Sequence, residues 1–132
     1  MNKIGLKEPV ELCVAADESM LLIIRLTTAG VVARAGLTVD EMENLKIAAE
    51  EACNCLIGQQ NPPRRVRLVF GCADGQLSIE AEACDVGEAP SGQADETELE
   101  IIRCLLESLA DHAEFHTTNG WIRRVALQKK LD

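Results

Sequence analysis

Residues 23 to 53 read IIRLTTAGVVARAGLTVDEMENLKIAAEEAC, and no other stretch constrains the fold as tightly. Two helical segments stand in tandem. Asp17 can cap a first helix that runs through about Ala35, and Gly36 is a natural stop, because a residue without Cβ enters the left-handed conformation unstrained. Thr38 and Glu41 have the spacing of a capping box, and Leu37 and Met42 that of a hydrophobic staple. The second helix then covers 39–57 and ends at Gly58. Leu45, Ala48, Ala49, Ala52 and Leu56 recur at helical spacing, so one stripe of that helix must pack inward.

Strands surround this pair. Val10, Leu12 and Val14 alternate with Glu11 and Cys13, as a half-buried strand does. Asn61-Pro62-Pro63 breaks the chain. Arg65 to Phe70 and Leu77 to Cys84 alternate around Ala73-Asp74-Gly75, a hairpin turn signal. A polar loop spans Val86 to about Thr97. A third helix is expected near 98–112, with Leu99, Ile102, Leu106 and Leu109 on one face. Glu114 to Thr118 and Trp121 to Gln128 flank Asn119-Gly120, a second hairpin signal. The order is strand, helix, helix, strand, strand, helix, strand, strand. It predicts an α+β fold of two layers, with helices on one face of a mixed, mostly antiparallel sheet.

A chain of 132 residues suffices for one domain with its own core. Aromatics make up only 2% of it, so Leu, Ile, Val and Ala fill that core. The formal charge is −9, from 22 acids against 13 bases, which repels phosphate backbones and argues against direct nucleic-acid binding. No apolar run reaches the roughly 20 residues of a membrane span, and the N-terminus lacks a signal-peptide core, so a cytoplasmic protein is expected. Its six cysteines (13, 53, 55, 72, 84 and 104) are then reduced thiols, read as small buried hydrophobes.

The tandem helices, ending in Glu51-Ala52-Cys53-Asn54-Cys55, resemble the first half of the anti-sigma regulatory factors, a serine-protein kinase family of the histidine-kinase-like (GHKL) ATPases. The resemblance implies one histidine-kinase-like domain over residues 1–132. It places ATP between the helices and the loop before the last helix. In that family the second helix carries E-x-x-x-N, the Glu as general base and the Asn on the magnesium of ATP. Glu51 matches the catalytic base, and the same spacing then reaches Cys55. Glu50 and Asn54 are also four apart and would take these roles if the helix turned by about 100°. The apolar stripe opposes that rotation and favours Asn54 as a solvent-facing or capping residue. Asp85-Val86-Gly87-Glu88-Ala89 matches the adenine-reading D-x-G-x-G, with Asp85 accepting from the adenine amine and Gly87 letting the backbone approach. Ala89 replaces the second glycine. Where the family has a glycine-rich phosphate lid, this chain has Asp95-Glu96-Thr97-Glu98-Leu99-Glu100. The Gly-Thr pair expected before the last strand is also absent.

The residues themselves call for no cofactor and no metal; ATP with magnesium enters only through the resemblance. His112 and His116 could bind metal if they shared a helix face, but no further ligand completes the set. Arg64, Arg65, Arg67, Arg123 and Arg124 could line one sheet face if their strands are neighbours. The functional expectation is an anti-sigma-factor-like regulator acting by partner switching, with a degenerate ATP site. Its partners would be a sigma factor or an anti-anti-sigma-type protein, with a homodimer as a further arrangement. The alternatives are an active ATP-dependent serine/threonine kinase of such a partner, and a non-enzymatic binding or structural domain on the same fold.

Overall fold

The computed structural model describes residues 6–86 and 91–131. Its elements are β1 (Val10–Ala15), a 3-10 turn (Glu18–Met20), α1 (Leu21–Arg34), α2 (Val39–Ile57), β2 (Arg65–Ala73), β3 (Gln76–Cys84), α3 (Glu96–Leu109), β4 (His112–Thr118) and β5 (Trp121–Lys130). The five strands form one sheet in the order β1-β2-β3-β5-β4. Every pairing is antiparallel. The helices lie on one face, α2 over β2, β3 and β5, α3 over β4, and α1 against β1 and α2. This is the two-layer α+β architecture expected from the order of periodic segments.

Local signals explain the boundaries. Asp17 accepts a hydrogen bond from the Ser19 amide at 3.1 Å and starts the 3-10 turn that leads into α1. Gly36, at φ +81°, ends α1. The Leu37 amide reaches the Val32 carbonyl at 3.4 Å and the Gly36 amide the Ala33 carbonyl at 3.1 Å, so the last carbonyls of the helix are satisfied. The capping box of α2 is complete. The Thr38 amide donates to Glu41 Oε1 at 2.9 Å, and the Glu41 amide to Thr38 Oγ1 at 3.1 Å. Both hairpin turns hold two consecutive positive-φ residues, Asp74-Gly75 and Asn119-Gly120, as their sequences demand.

The third helix is shifted from its expected span. Asp95 accepts from the Thr97 amide at 2.8 Å, so α3 begins at Glu96. Ala110 is already extended, so the helix ends at Leu109 and β4 begins at His112. His112 and His116 therefore lie on a strand and not on a helix.

The core sits between sheet and helices. Leu45, Ala48, Ala49, Ala52, Cys53 and Leu56 of α2 are all buried, as the stripe required. They face Val66, Leu68 and Phe70 of β2, Leu77, Ile79 and Ala81 of β3, and Val125 and Leu127 of β5. Trp121 is fully buried, and its indole N–H donates to the Asn61 carbonyl at 2.8 Å. Burying each large apolar side chain contributes about 1.5–3 kcal/mol.

The opposite sheet face is charged, and no helix among the described residues covers it. Here β3 lies between β2 and β5, so the arginines that could have shared a face are separated by acids. Arg67, Glu82 and Arg124 stand in register across the three strands. Arg67 pairs with Glu82 and, at 3.6 Å, with Glu11; Arg124 pairs with Glu80 at 3.3 Å. Arg123 turns away from this row and lies 5.9 Å from the Trp121 ring. Exposed pairs of this kind contribute about 0.2–1 kcal/mol each. They keep the face solvated and do not form a basic patch.

Candidate functional site

A cleft of about 460 Å³ opens between the end of α2, the segment 92–95 and the first turns of α3. Asn54 and Cys55 line it from α2, Asp95, Glu98, Leu99 and Ile102 from α3, and Ile122 from β5. It lies where the sequence resemblance would put a nucleotide, between the paired helices and the loop before the last helix.

Each residue singled out in the sequence has a definite place. Glu51 is partly buried on α2 close to Cys55, but it is not among the residues lining the cleft. Glu50 is drawn toward α1, where its carboxylate meets Arg25 Nε at 3.2 Å. Asn54, favoured as solvent-facing or capping, is partly exposed and lines the cleft beside Cys55. Asp85 is exposed just past the end of β3, at φ +52°, and does not line the cleft. Gly87 and Ala89 lie outside the described residues. The structure thus brings Asn54 and Cys55 together with Asp95 and Glu98 in the cleft lining, and leaves Glu51, beside Cys55, and Asp85 out of that lining.

The chemistry of this lining differs from that of a magnesium–nucleotide site. Burial pushes the Cys55 thiol up to about 12, with the Glu51 carboxylate adding to the effect. Burial likewise pushes Cys53 up to about 12. At neutral pH Cys55 is a protonated thiol, whereas magnesium prefers hard oxygen ligands. Asp95 and Glu98 stand at the N-terminus of α3, where their charge suits the helix dipole. For a phosphate the same carboxylates are repulsive, by about 1–4 kcal/mol per close pair of charges at surface-like dielectric.

Two contacts invisible in the sequence close one end of the cleft. The Gln59 side chain donates to the Ile122 carbonyl at 3.0 Å and accepts from the Ile122 amide at 2.6 Å. It serves the first turn of β5 as a neighbouring strand would. The segment 92–94 is also fastened. The Gly92 amide donates to the Asn119 carbonyl at 3.2 Å and the Ala94 amide to the Gly120 carbonyl at 3.0 Å. The backbones approach so closely that a Cβ on Gly92 would come within 2.6 Å of the Gly120 carbonyl oxygen. No local signal marks Gln59 or Gly92; only the pairing of distant segments gives them a role.

The histidine pair has an ordinary account. His112 and His116 flank Glu114 on β4, at 3.1 and 3.6 Å from its carboxylate. The hydrogen bond from His112 holds the Glu114 carboxyl below the usual carboxylate range. Among the described residues, no three His, Cys, Asp or Glu side chains are grouped so as to hold a metal ion. The six cysteines are free thiols. Among the described residues, no helix is long and apolar enough to cross a membrane.

Comparison with known proteins places this geometry in context. No protein-family model matches the chain. The serine-protein kinase RsbW of Bacillus mycoides is 36% identical over 74 residues, which cover 54% of this chain and 46% of that protein. The RsbW of a Bacillus cereus strain is 36% identical over 76 residues, covering 56% and 48%. The chain thus matches about half the length of these curated relatives. Among solved structures, the RsbU and RsbW domains of a Mycobacterium tuberculosis protein superpose with a TM-score of 0.72, at 12% identity, over 95% of this chain and 33% of that one. At that identity the likeness speaks for the fold. In sequence over about half of its length, this chain is similar to proteins named serine-protein kinase RsbW, and in fold it is similar to the structure that contains an RsbW domain.

Proposed function

We propose that this chain, as one histidine-kinase-like domain over residues 1–132, is an anti-sigma-type regulator that works by binding protein partners in turn, with a nucleotide cleft that has lost the fit for magnesium-ATP. One observation carries this reading: the cleft presents the half-buried Cys55 thiol from α2 and two carboxylates, Asp95 and Glu98, from α3. A site that must hold a divalent ion and a triphosphate needs hard oxygens at the first place and free amides or cations at the second. Kinship with proteins named serine-protein kinase RsbW supports the regulatory context.

Binding of a protein partner needs neither metal nor lid. The paired helices supply a surface suited to it. Leu22, Ile23 and Leu26 of α1 are 57%, 44% and 64% exposed, beside Arg25. Charges on these helices, Arg25, Arg34, Glu43 and Lys46, would then set association rate and partner choice. The partner is a sigma factor or an anti-anti-sigma-type protein. The test is affinity capture from native cell extract with wild-type chain, with Leu26→Glu and with Arg25→Glu/Arg34→Glu. Recovery of such a partner by wild type, and its loss in folded variants, supports the reading. Its absence, or unchanged capture by the variants, leaves a non-enzymatic domain unrelated to sigma control.

A second reading rests on Asn54. Its side chain belongs to the cleft lining, and a carboxamide oxygen is a hard ligand. If Asn54 serves the metal, the chain is an active ATP-dependent serine/threonine kinase with Asp85 and Gly87 at the adenine end. The base would then have to be Glu51, or Glu50 released from Arg25. Transfer of labelled phosphate from ATP to a partner serine, lost in Asn54→Ala, distinguishes this reading.

A further inference from the structure

The free edge of the sheet offers a second place of contact, beyond the cleft and the paired helices. β4 is the last strand of the sheet, and its outer side faces no strand among the described residues. The Ala113 amide points outward, where the Glu107 carboxylate accepts from it at 3.4 Å. Backbone direction alternates along a strand, and the irregularity of β4 falls only after His116, so Phe115 presents its amide and carbonyl to the same side. Exposed edges of this kind are templates for another strand unless they are blocked.

Beside this edge runs a groove of about 760 Å³ between β4 and α3. Leu99, Ile101 and Phe115 contribute apolar surface to it, and Ile101 is 66% exposed. Its charged lining is Glu96, Glu100 and Glu114 against Arg103 alone. Arg103 is already bound to Glu100 at 2.6 Å, so Glu96 and Glu114 are left in excess.

We infer that the β4 edge is a docking site for an extended segment of a partner protein, added as a sixth strand, with apolar residues at alternate positions and Lys or Arg between them. The free backbone of Phe115 selects an extended segment. The apolar groove accepts every second side chain, since strand side chains alternate in direction. The surplus carboxylates select the charge. A second copy of this chain suits the edge less well, because it carries a net charge of −9 and the same acidic α3.

The test uses the full chain and a blocked, fluorescein-labelled octapeptide alternating valine and lysine. Saturable binding is expected by anisotropy, together with new hydrogen-exchange protection at the Phe115 amide. A valine–glutamate octapeptide should not bind. N-methylation of alternate peptide amides keeps the charge and should weaken binding at least about tenfold, by removing strand pairing. Glu96→Gln and Glu114→Gln should each weaken it by about twofold to fivefold. Lack of binding would overturn the proposal. So would affinity unchanged by N-methylation, since that is only attraction to an acidic protein. Protection appearing in β1 instead of β4 would also overturn it. So would sedimentation showing a dimer of the chain alone with the Phe115 amide already protected, which would assign the edge to a second copy.

Discussion

Gln59 and Ile122 are joined by two hydrogen bonds, at 3.0 and 2.6 Å, that lock the end of α2 to the first turn of β5. The side-chain amide satisfies both the N–H and the C=O of one strand residue. Replacing Gln59 with Ala leaves both groups short of a partner at a partly buried site, which costs about 1–3 kcal/mol. Urea denaturation should show that loss with an unchanged slope. Gln59→Glu keeps the acceptor for the Ile122 amide but turns a carboxylate toward the Ile122 carbonyl, so it should be destabilising at pH 7 and partly relieved at pH 4.

The capping box of α2 makes stability depend on acid. Hydrogen bonds from Thr38, and the Lys129 ammonium at 3.5 Å, hold the Glu41 carboxyl below its ordinary value of 4.5. The folded state therefore binds this proton less tightly than the unfolded one. The contribution is complete above the unfolded pKa and is lost as the pH falls below about 4.5 through the folded value. In Glu41→Gln the acid limb of the stability profile between pH 6 and 3 should flatten. Thr38→Ala should cost about 1 kcal/mol at neutral pH through loss of the cap.

Thiol reactivity reports on the environment of the cleft. Cys13 and Cys104 are exposed, whereas Cys53 and Cys55 are pushed up to about 12 by burial. Iodoacetamide at pH 8, read by peptide mass spectrometry, should label Cys13 and Cys104 first. Cys53 should react only on unfolding, and Cys55 well after the exposed pair, since the thiolate is the nucleophile. Their raised values carry the opposite pH sign from Glu41. The stability they contribute is present below the unfolded value of 9.0 and is lost as the pH rises toward 12.

Much of this fold is legible in short stretches of sequence. Asp74-Gly75 and Asn119-Gly120 announce their turns, because both residues of such turns need positive φ. Thr38 and Glu41 announce α2, and its apolar stripe fixes which face turns inward. The helical span 98–112 is less well placed, although the correct signal is present. His112, Glu114 and His116 alternate with Ala113 and Phe115, a strand period that outweighs the apolar run before it. The cleft is harder to read. Gln59 and Ile122 are 63 residues apart, and the fastening of Gly92 and Ala94 depends on the turn at Asn119-Gly120. Contacts of that range are set by sheet order, as is the placing of Glu82 between Arg67 and Arg124. Asn54 and Cys55 both line the cleft because a helix wall spans more than one residue width, so sequence spacing alone could not choose between them.

Calorimetric titration tests the fit of the cleft to magnesium-ATP most directly. Mg-ATP is titrated into the wild-type chain and into Cys55→Asn combined with Asp95→Ser and Glu98→Gln, which restores a hard ligand and removes the opposing carboxylates while keeping a cap on α3. The expected result is no saturable heat for wild type at micromolar nucleotide, with binding gained in the triple variant. Saturable micromolar binding of Mg-ATP by the wild-type chain would contradict the account.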